Sequence, residues 1–262
     1  MARVLSAAVL LPVVIGAVWL LPPIATLVLA MVAAALSFVE YAAIAAALDA
    51  QMPRVLSGVA VVAACAAVGR GWIFVDVIVM TATISIAATA VAGARIGPHA
   101  LRSTAAAVFP IAYIGLPLGA LAAVRLSGGR EALLLMIVTI VISDSAQYYT
   151  GRAFGKRPLA PAISPKKTRE GAFGGMLFGT LAFLVGARFV FPQAPGALLL
   201  IVGATVAALG IVGDLFESLL KRSAGVKDSG TLIPGHGGVL DRIDSWLFAA
   251  PVYYVFVHYL RS

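Results

Sequence analysis

At 262 residues, with 61% of them hydrophobic, 11% charged and a mean hydropathy of +1.03, the chain carries too much apolar surface for a soluble domain. The formal charge of +8 is spread over few residues, and no nucleic-acid partner is expected. A β-barrel is excluded because runs such as Ile24–Ala35 do not alternate in polarity, so the expected fold is all-α, a polytopic integral membrane protein.

Crossing a hydrocarbon layer of about 30 Å takes about 20 helical residues. About nine spans of this kind are expected, near 4–21, 24–48, 55–69, 72–92, 104–124, 132–150, 171–191, 196–220 and 245–260. The third is short and the ninth contains Pro251, which suits half-membrane or interfacial helices as well as full spans. Arg3 and the apolar Val4–Leu21 have the look of a signal peptide, but hydrophobic spans follow at once, so an uncleaved first span is expected. With the N-terminus cytoplasmic, fourteen of the nineteen basic residues fall on that side, which places the loops after the sixth and eighth spans in the cytoplasm. The single Cys65 lies in an apolar stretch and supports neither a disulfide nor a thiolate metal site.

The whole chain, 1–262, reads as one membrane domain. Residues 1–140 are mainly scaffold helices, and residues 141–262 hold the catalytic helices and cytoplasmic loops. Glu40, well inside the second span, must face another helix or a cavity, in a structural pairing or a functional role. From Ser143 on the character changes. Asp144, Gln147 and Tyr148 share one helical face at i, i+3 and i+4, just before a basic loop. That loop contains Ser164, Lys166, Lys167, Thr168 and Arg169, followed by glycines that let backbone approach closely. Cations and hydroxyls packed before a helix suit a polyanionic phosphate group, although an anionic lipid surface would attract the same loop.

The segment 214–244 gathers five of the eleven acidic residues. Charge that dense in so apolar a chain is expensive in lipid and points to a metal, a phosphate or both. Asp214, Glu217, Ser218 and Lys221 form one polar stripe on an apolar helix. Arg222, Lys227 and Asp228 follow, then a glycine-rich turn with His236, Gly237 and Gly238. Asp241, Arg242 and Asp244 open the last helix, with Asp241 and Asp244 on one face. Carboxylates there could join Asp214 around a hard divalent cation, and Mg²⁺ takes one or two carboxylates plus substrate oxygens. His236 fits a phosphate contact better than a general base, since a phosphate monoester is already ionised near neutral pH.

The run Ser218-Leu-Leu-Lys-Arg, then Lys227-Asp228, then His236-Gly-Gly-Val-Leu-Asp-Arg-Ile-Asp244 resembles the signature of the phosphatidate cytidylyltransferases, or CDP-diacylglycerol synthases. The Asp144 segment and the Ser164–Gly175 loop resemble a second region of that family. The resemblance implies a multi-pass enzyme of a bacterial-type inner membrane that condenses CTP with phosphatidic acid to give CDP-diacylglycerol and pyrophosphate. It also implies Mg²⁺ as cofactor, with room for a second cation, membrane lipid as a partner, and a homodimer.

On that reading Asp214 and Asp241, with Asp244 and Asp144, hold the metal. The catalytic set is these four with Lys221 and Arg242. Substrate binding falls to Ser164, Lys166, Lys167, Thr168, Arg169, Ser218, Arg222, Lys227, Asp228, His236, Gly237 and Gly238. Two polyanions must meet, and cations make that possible. The rivals are a CTP-dependent polyprenol or phytol kinase, which would attack the γ-phosphorus, and a transporter using the intramembrane acids as an ion path.

Overall fold

The computed structural model describes residues 15–93, 97, 99–232 and 237–260. Residues 15–20 are helical, the start of the first expected span and His236 lie outside the described residues, and eight helices follow. α1 (Pro23–Ala47) begins on a proline whose fixed φ suits the first helical position. α2 (Arg54–Gly69), α3 (Val75–Ala92) and α4 (His99–Pro110) come next. A wide π turn at Ile111–Gly115 joins α4 to α5 (Leu116–Phe154), beginning where Pro110 lacks an N–H for the α-helical ladder. A short antiparallel hairpin, β1 (Pro158–Ala160) and β2 (Ser164–Thr168), precedes α6 (Arg169–Val190), α7 (Gly196–Ser223) and α8 (Leu240–Tyr259).

Among the described residues, five helical stretches are long and apolar enough to cross a membrane, Pro23–Ala47, Val75–Ala92, His99–Phe154, Arg169–Val190 and Gly196–Ser223. The count of nine is therefore not reproduced, for identifiable reasons. The expected fifth and sixth spans belong to one helical run of 56 residues, about 84 Å if straight and far beyond one bilayer crossing. It breaks at Gly129, with φ 83° and ψ 178°, a conformation that a side chain would resist. α2 has only 16 residues, and α8 opens on charged residues.

The chain forms two compact units. The first comprises residues 1–126 and 220–242. In it α2 lies against the π turn and the start of α5. A Cβ on Gly115 would sit 2.6 Å from the carbonyl of Val61, and one on Gly119 would sit 2.7 Å from that of Cys65. Small residues replace the hydrophobic effect as the means of bringing helices together in lipid. The Tyr41 hydroxyl ties α1 to α4 by donating to the Ala106 carbonyl at 3.1 Å.

The second unit comprises residues 127–219 and 243–262. Leu133, Met136, Ile137, Phe183, Leu199 and Tyr253 are fully buried there, with the Phe183 and Tyr253 rings edge to face. The Tyr253 hydroxyl donates to the Ala132 carbonyl at 2.8 Å. Gly171, Gly175 and Gly179 form a notch along α6 into which α5 sits. A Cβ on Gly171 would lie 2.7 Å from the Gln147 carbonyl, and one on Gly179 would lie 2.9 Å from the Ser143 side chain. These glycines thus serve helix packing.

The hairpin departs from a wholly helical chain. Thr168 ends β2 and caps α6, its Oγ1 accepting from the Gly171 N–H at 3.1 Å. Glu170 secures the two residues leading into the other strand, accepting from the N–H groups of Lys156 and Arg157 at 3.1 and 3.3 Å. The basic loop is therefore a braced hairpin.

Candidate active site

Within the second unit, three carboxylates on three helices come together. Asp144 lies on α5, Asp214 on α7 and Asp244 on the first turns of α8. They are near enough for Asp214 and Asp144 to repel the charge of Asp244, and Lys167 attracts both Asp144 and Asp244. Lys167 reaches in from β2 and forms an ion pair with Asp214 Oδ2. Lys166, its neighbour, is exposed. Gln147 Nε2 donates to Asp144 Oδ1 at 3.2 Å, and Ser218 Oγ stands 3.5 Å from Asp214 Oδ1. The Asp244 Oδ1 accepts from the Ser245 N–H at 2.6 Å.

Gly213 explains why α7 and α8 approach so closely here. A Cβ at that position would lie 2.5 Å from the carbonyl oxygen of Asp244. The obstacle is backbone, so one helix must shift to accept it. Gly213→Ala is expected to destabilise the folded protein by about 1–3 kcal/mol, read as a lower midpoint in thermal unfolding in detergent. An unchanged midpoint would show that the contact is slack.

The first unit holds a second polar cluster. Asp241 Oδ1 accepts from the Lys221 ammonium at 2.5 Å. Its Oδ2 accepts from the N–H of Ser229 at 2.9 Å, the N–H of Gly238 at 2.8 Å and Ser229 Oγ at 2.8 Å. Burial alone would push the Asp241 carboxyl up, but Lys221 and the backbone donors of Gly238 and Ser229 outweigh it and hold the group down at about 2. Gly237 adopts φ 79°, which Gly alone takes without strain, and a side chain there would collide with Asp241. Glu40, from α1, accepts from Ser229 Oγ and from the N–H groups of Val239 and Leu240.

The other sequence-derived candidates divide. Arg222 donates to the Val226 carbonyl at 3.2 Å and is exposed, as are Lys227, Asp228, Arg169 and Arg242. Ser164 and Thr168 lie on the hairpin strand and are half-buried. Glu40 was the residue that the sequence left open. Its only signal was a lone acid inside an apolar span, which says that a partner exists but not which one.

Comparison with known proteins decides the family. The model of the cytidylyltransferase family matches residues 1–260. The chain belongs to the cytidylyltransferase family. Among its relatives, a phosphatidate cytidylyltransferase of Helicobacter pylori is 40% identical over 157 residues, 59% of this chain and 58% of that one. One from Haemophilus influenzae is 47% identical over 142 residues, 50% of this chain and 47% of the other. An uncharacterized protein of Escherichia coli, YnbB, is 41% identical over 135 residues, 52% of this chain and 45% of its own. The aligned part spans about half the length of these relatives.

Proposed function

We propose that the chain is a phosphatidate cytidylyltransferase that condenses CTP with phosphatidic acid in the membrane, forming CDP-diacylglycerol and releasing pyrophosphate. The observation that carries this reading is the meeting of Asp144, Asp214 and Asp244 with Lys167 in a chain of the cytidylyltransferase family, several of whose relatives are named phosphatidate cytidylyltransferase. A phosphatidate oxygen attacks the α-phosphorus of CTP, a new P–O bond forms, and the bond to the β-phosphate bridging oxygen breaks. The electrons of that bond leave with pyrophosphate.

The donor set suits Mg²⁺. All three acids offer hard oxygens, but among the described residues no group of three acids, histidines or cysteines is arranged to hold a metal ion by itself, so an ion here would need substrate oxygens to complete its shell. Asp214, Asp244 and Asp144 would hold it, leaving room for a second cation. When bound it would neutralise phosphate charge and steady the leaving group. We place Asp241 outside this set, because Lys221, the N–H groups of Ser229 and Gly238 and the shared Ser229 hydroxyl already surround its two oxygens. Asp241 and Lys221 instead hold the signature segment in shape.

Lys167 limits the repulsion inside the carboxylate cluster and offers an ammonium to a substrate phosphate. Lys166, Arg169, Arg222, Lys227 and Arg242 are exposed cations that would draw CTP toward the cytoplasmic face, with Ser164, Thr168, Ser218 and the His236 turn contributing donors to phosphate. The excess of basic residues in the cytoplasmic loops supports that orientation. A bacterial inner-membrane location and a homodimer rest on the family resemblance.

The test is direct. Purified protein with phosphatidic acid, Mg²⁺ and CTP labelled at the α-phosphate should yield labelled lipid and free pyrophosphate, and chelation should stop it. Label entering lipid only from the γ-phosphate would make the protein a kinase, and no transfer at all would refute the assignment.

A further inference from the structure

Glu40 sits within α1, among helices that the sequence marks as scaffold, yet its carboxylate is the meeting point of a segment about two hundred residues away. Its Oε1 accepts from the Val239 N–H at 2.8 Å, and its Oε2 accepts from the Leu240 N–H at 2.8 Å and from Ser229 Oγ at 3.0 Å. The residue is 8% exposed, and Ser229 is buried with it. A Cβ on Gly230 would stand 2.9 Å from Glu40 Oε1, and a Cβ on Gly238 would collide with both Glu40 Oε2 and Ser229 Oγ. Two glycines of the signature segment therefore leave the space that this carboxylate fills.

The first N–H groups of a helix have no partner within it and are ordinarily met by Ser, Thr, Asp or Asn at the position before. Here that position is Val239, which cannot cap. The carboxylate comes from another helix, where it also favours the positive end of the α8 dipole. A local cap would have satisfied the same donors without tying α8 to α1. Ser229 Oγ lies between the two carboxylates, 2.8 Å from Asp241 Oδ2 and 3.0 Å from Glu40 Oε2, its single proton shared between them, so both ends of the stretch from Ser229 to Leu240 lie against Glu40.

We infer that Glu40 is a positioning residue for nucleotidyl transfer, fixing through Ser229, Val239 and Leu240 the first turn of α8 and the Gly237–Gly238 pair before it. The inference rests on the proposed transferase reading. Glu40 acts on turnover because the groups it holds carry the signature residues Gly237, Gly238 and Asp241, and a displacement of about 1 Å in such a constellation costs about a hundredfold in rate.

The test is Glu40→Gln and Glu40→Asp in the full chain, reconstituted in phosphatidate-containing vesicles. Gln keeps the shape but presents an amide donor where only acceptors fit. For Glu40→Gln, kcat for CMP transfer should fall about a hundredfold while KM for CTP stays within about threefold. Hydrogen exchange should accelerate at the amides of Val239 and Leu240 and not along α1 or α2. Glu40→Asp, which keeps the acceptors on a shorter stem, should recover at least about tenfold of the lost kcat. Wild-type kcat in Glu40→Gln, a rise in KM in place of a fall in kcat, or faster exchange throughout the helices would overturn the positioning role. A wild-type protein that transfers no CMP yet shows the Glu40-dependent protection would overturn the transferase reading, and with it any role in turnover, while leaving the grip on α8 intact.

Discussion

Asp214→Asn is expected to lower kcat for CMP transfer by about a hundred- to a thousandfold, the cost of removing one preorganised charge from a transition state rich in negative charge. The substitution preserves shape and hydrogen-bonding size. It removes one of the three carboxylates and leaves Lys167 without its paired acid. Folding should survive, because both partners are partly exposed, with side chains at 21% and 31% accessibility, and such a pair contributes at most about 1 kcal/mol. The Mg²⁺ concentration for half-maximal rate should rise in the same variant. Wild-type turnover at wild-type Mg²⁺ would remove Asp214 from the ion-holding set.

Asp241→Asn should fail in a different way. Lys221 and Asp241 have side chains only 11% and 4% accessible, and removing one partner of a buried pair leaves an uncompensated charge at a cost of about 3–5 kcal/mol. The amide nitrogen would also face one of the donors from Lys221, Ser229 or Gly238. The expected result is a large drop in thermal stability, with faster exchange at Ser229 and Gly238. Any protein that remains folded should need no more Mg²⁺ than wild type. A stable Asp241→Asn with a raised Mg²⁺ requirement would return Asp241 to the ion.

The pH dependence of this clamp follows from the depressed carboxyl. A group held low in the folded state gives its full stabilisation above its unfolded value of about 3.9, and that stabilisation fades as pH falls toward about 2. The Asp241 clamp is therefore intact throughout the neutral range.

The parts of the site legible in the sequence were those written in helical spacing. Asp214, Ser218 and Lys221 lie on one stripe, and the helix α7 does carry them. Asp144 on the end of α5 could be anticipated from a single polar face beside a basic loop. The hairpin could not. Strand β2, with its proline and two lysines, has none of the β-branched and aromatic pattern by which strands are recognised, and it exists because Thr168, Glu170 and the start of α6 brace it. The glycines of α6 suggested close approach, but the sequence does not say to what, and the approach is to α5. Glu40 was unreadable for the same reason. Its partners are 189 to 200 residues away, and nothing in the local sequence of α1 names them.

Where α5 rests in the notch of Gly171, Gly175 and Gly179, the carbonyls and side chains of Ser143 and Gln147 lie directly against the α6 backbone. The seam lies beside Asp144, the residue after Ser143, and beside the helix start that follows Lys167, so a larger residue at these glycines would disturb the surroundings of both. If the substrate is the two-tailed lipid proposed above, agents that loosen the surrounding lipid should change how fast it arrives without widening this seam.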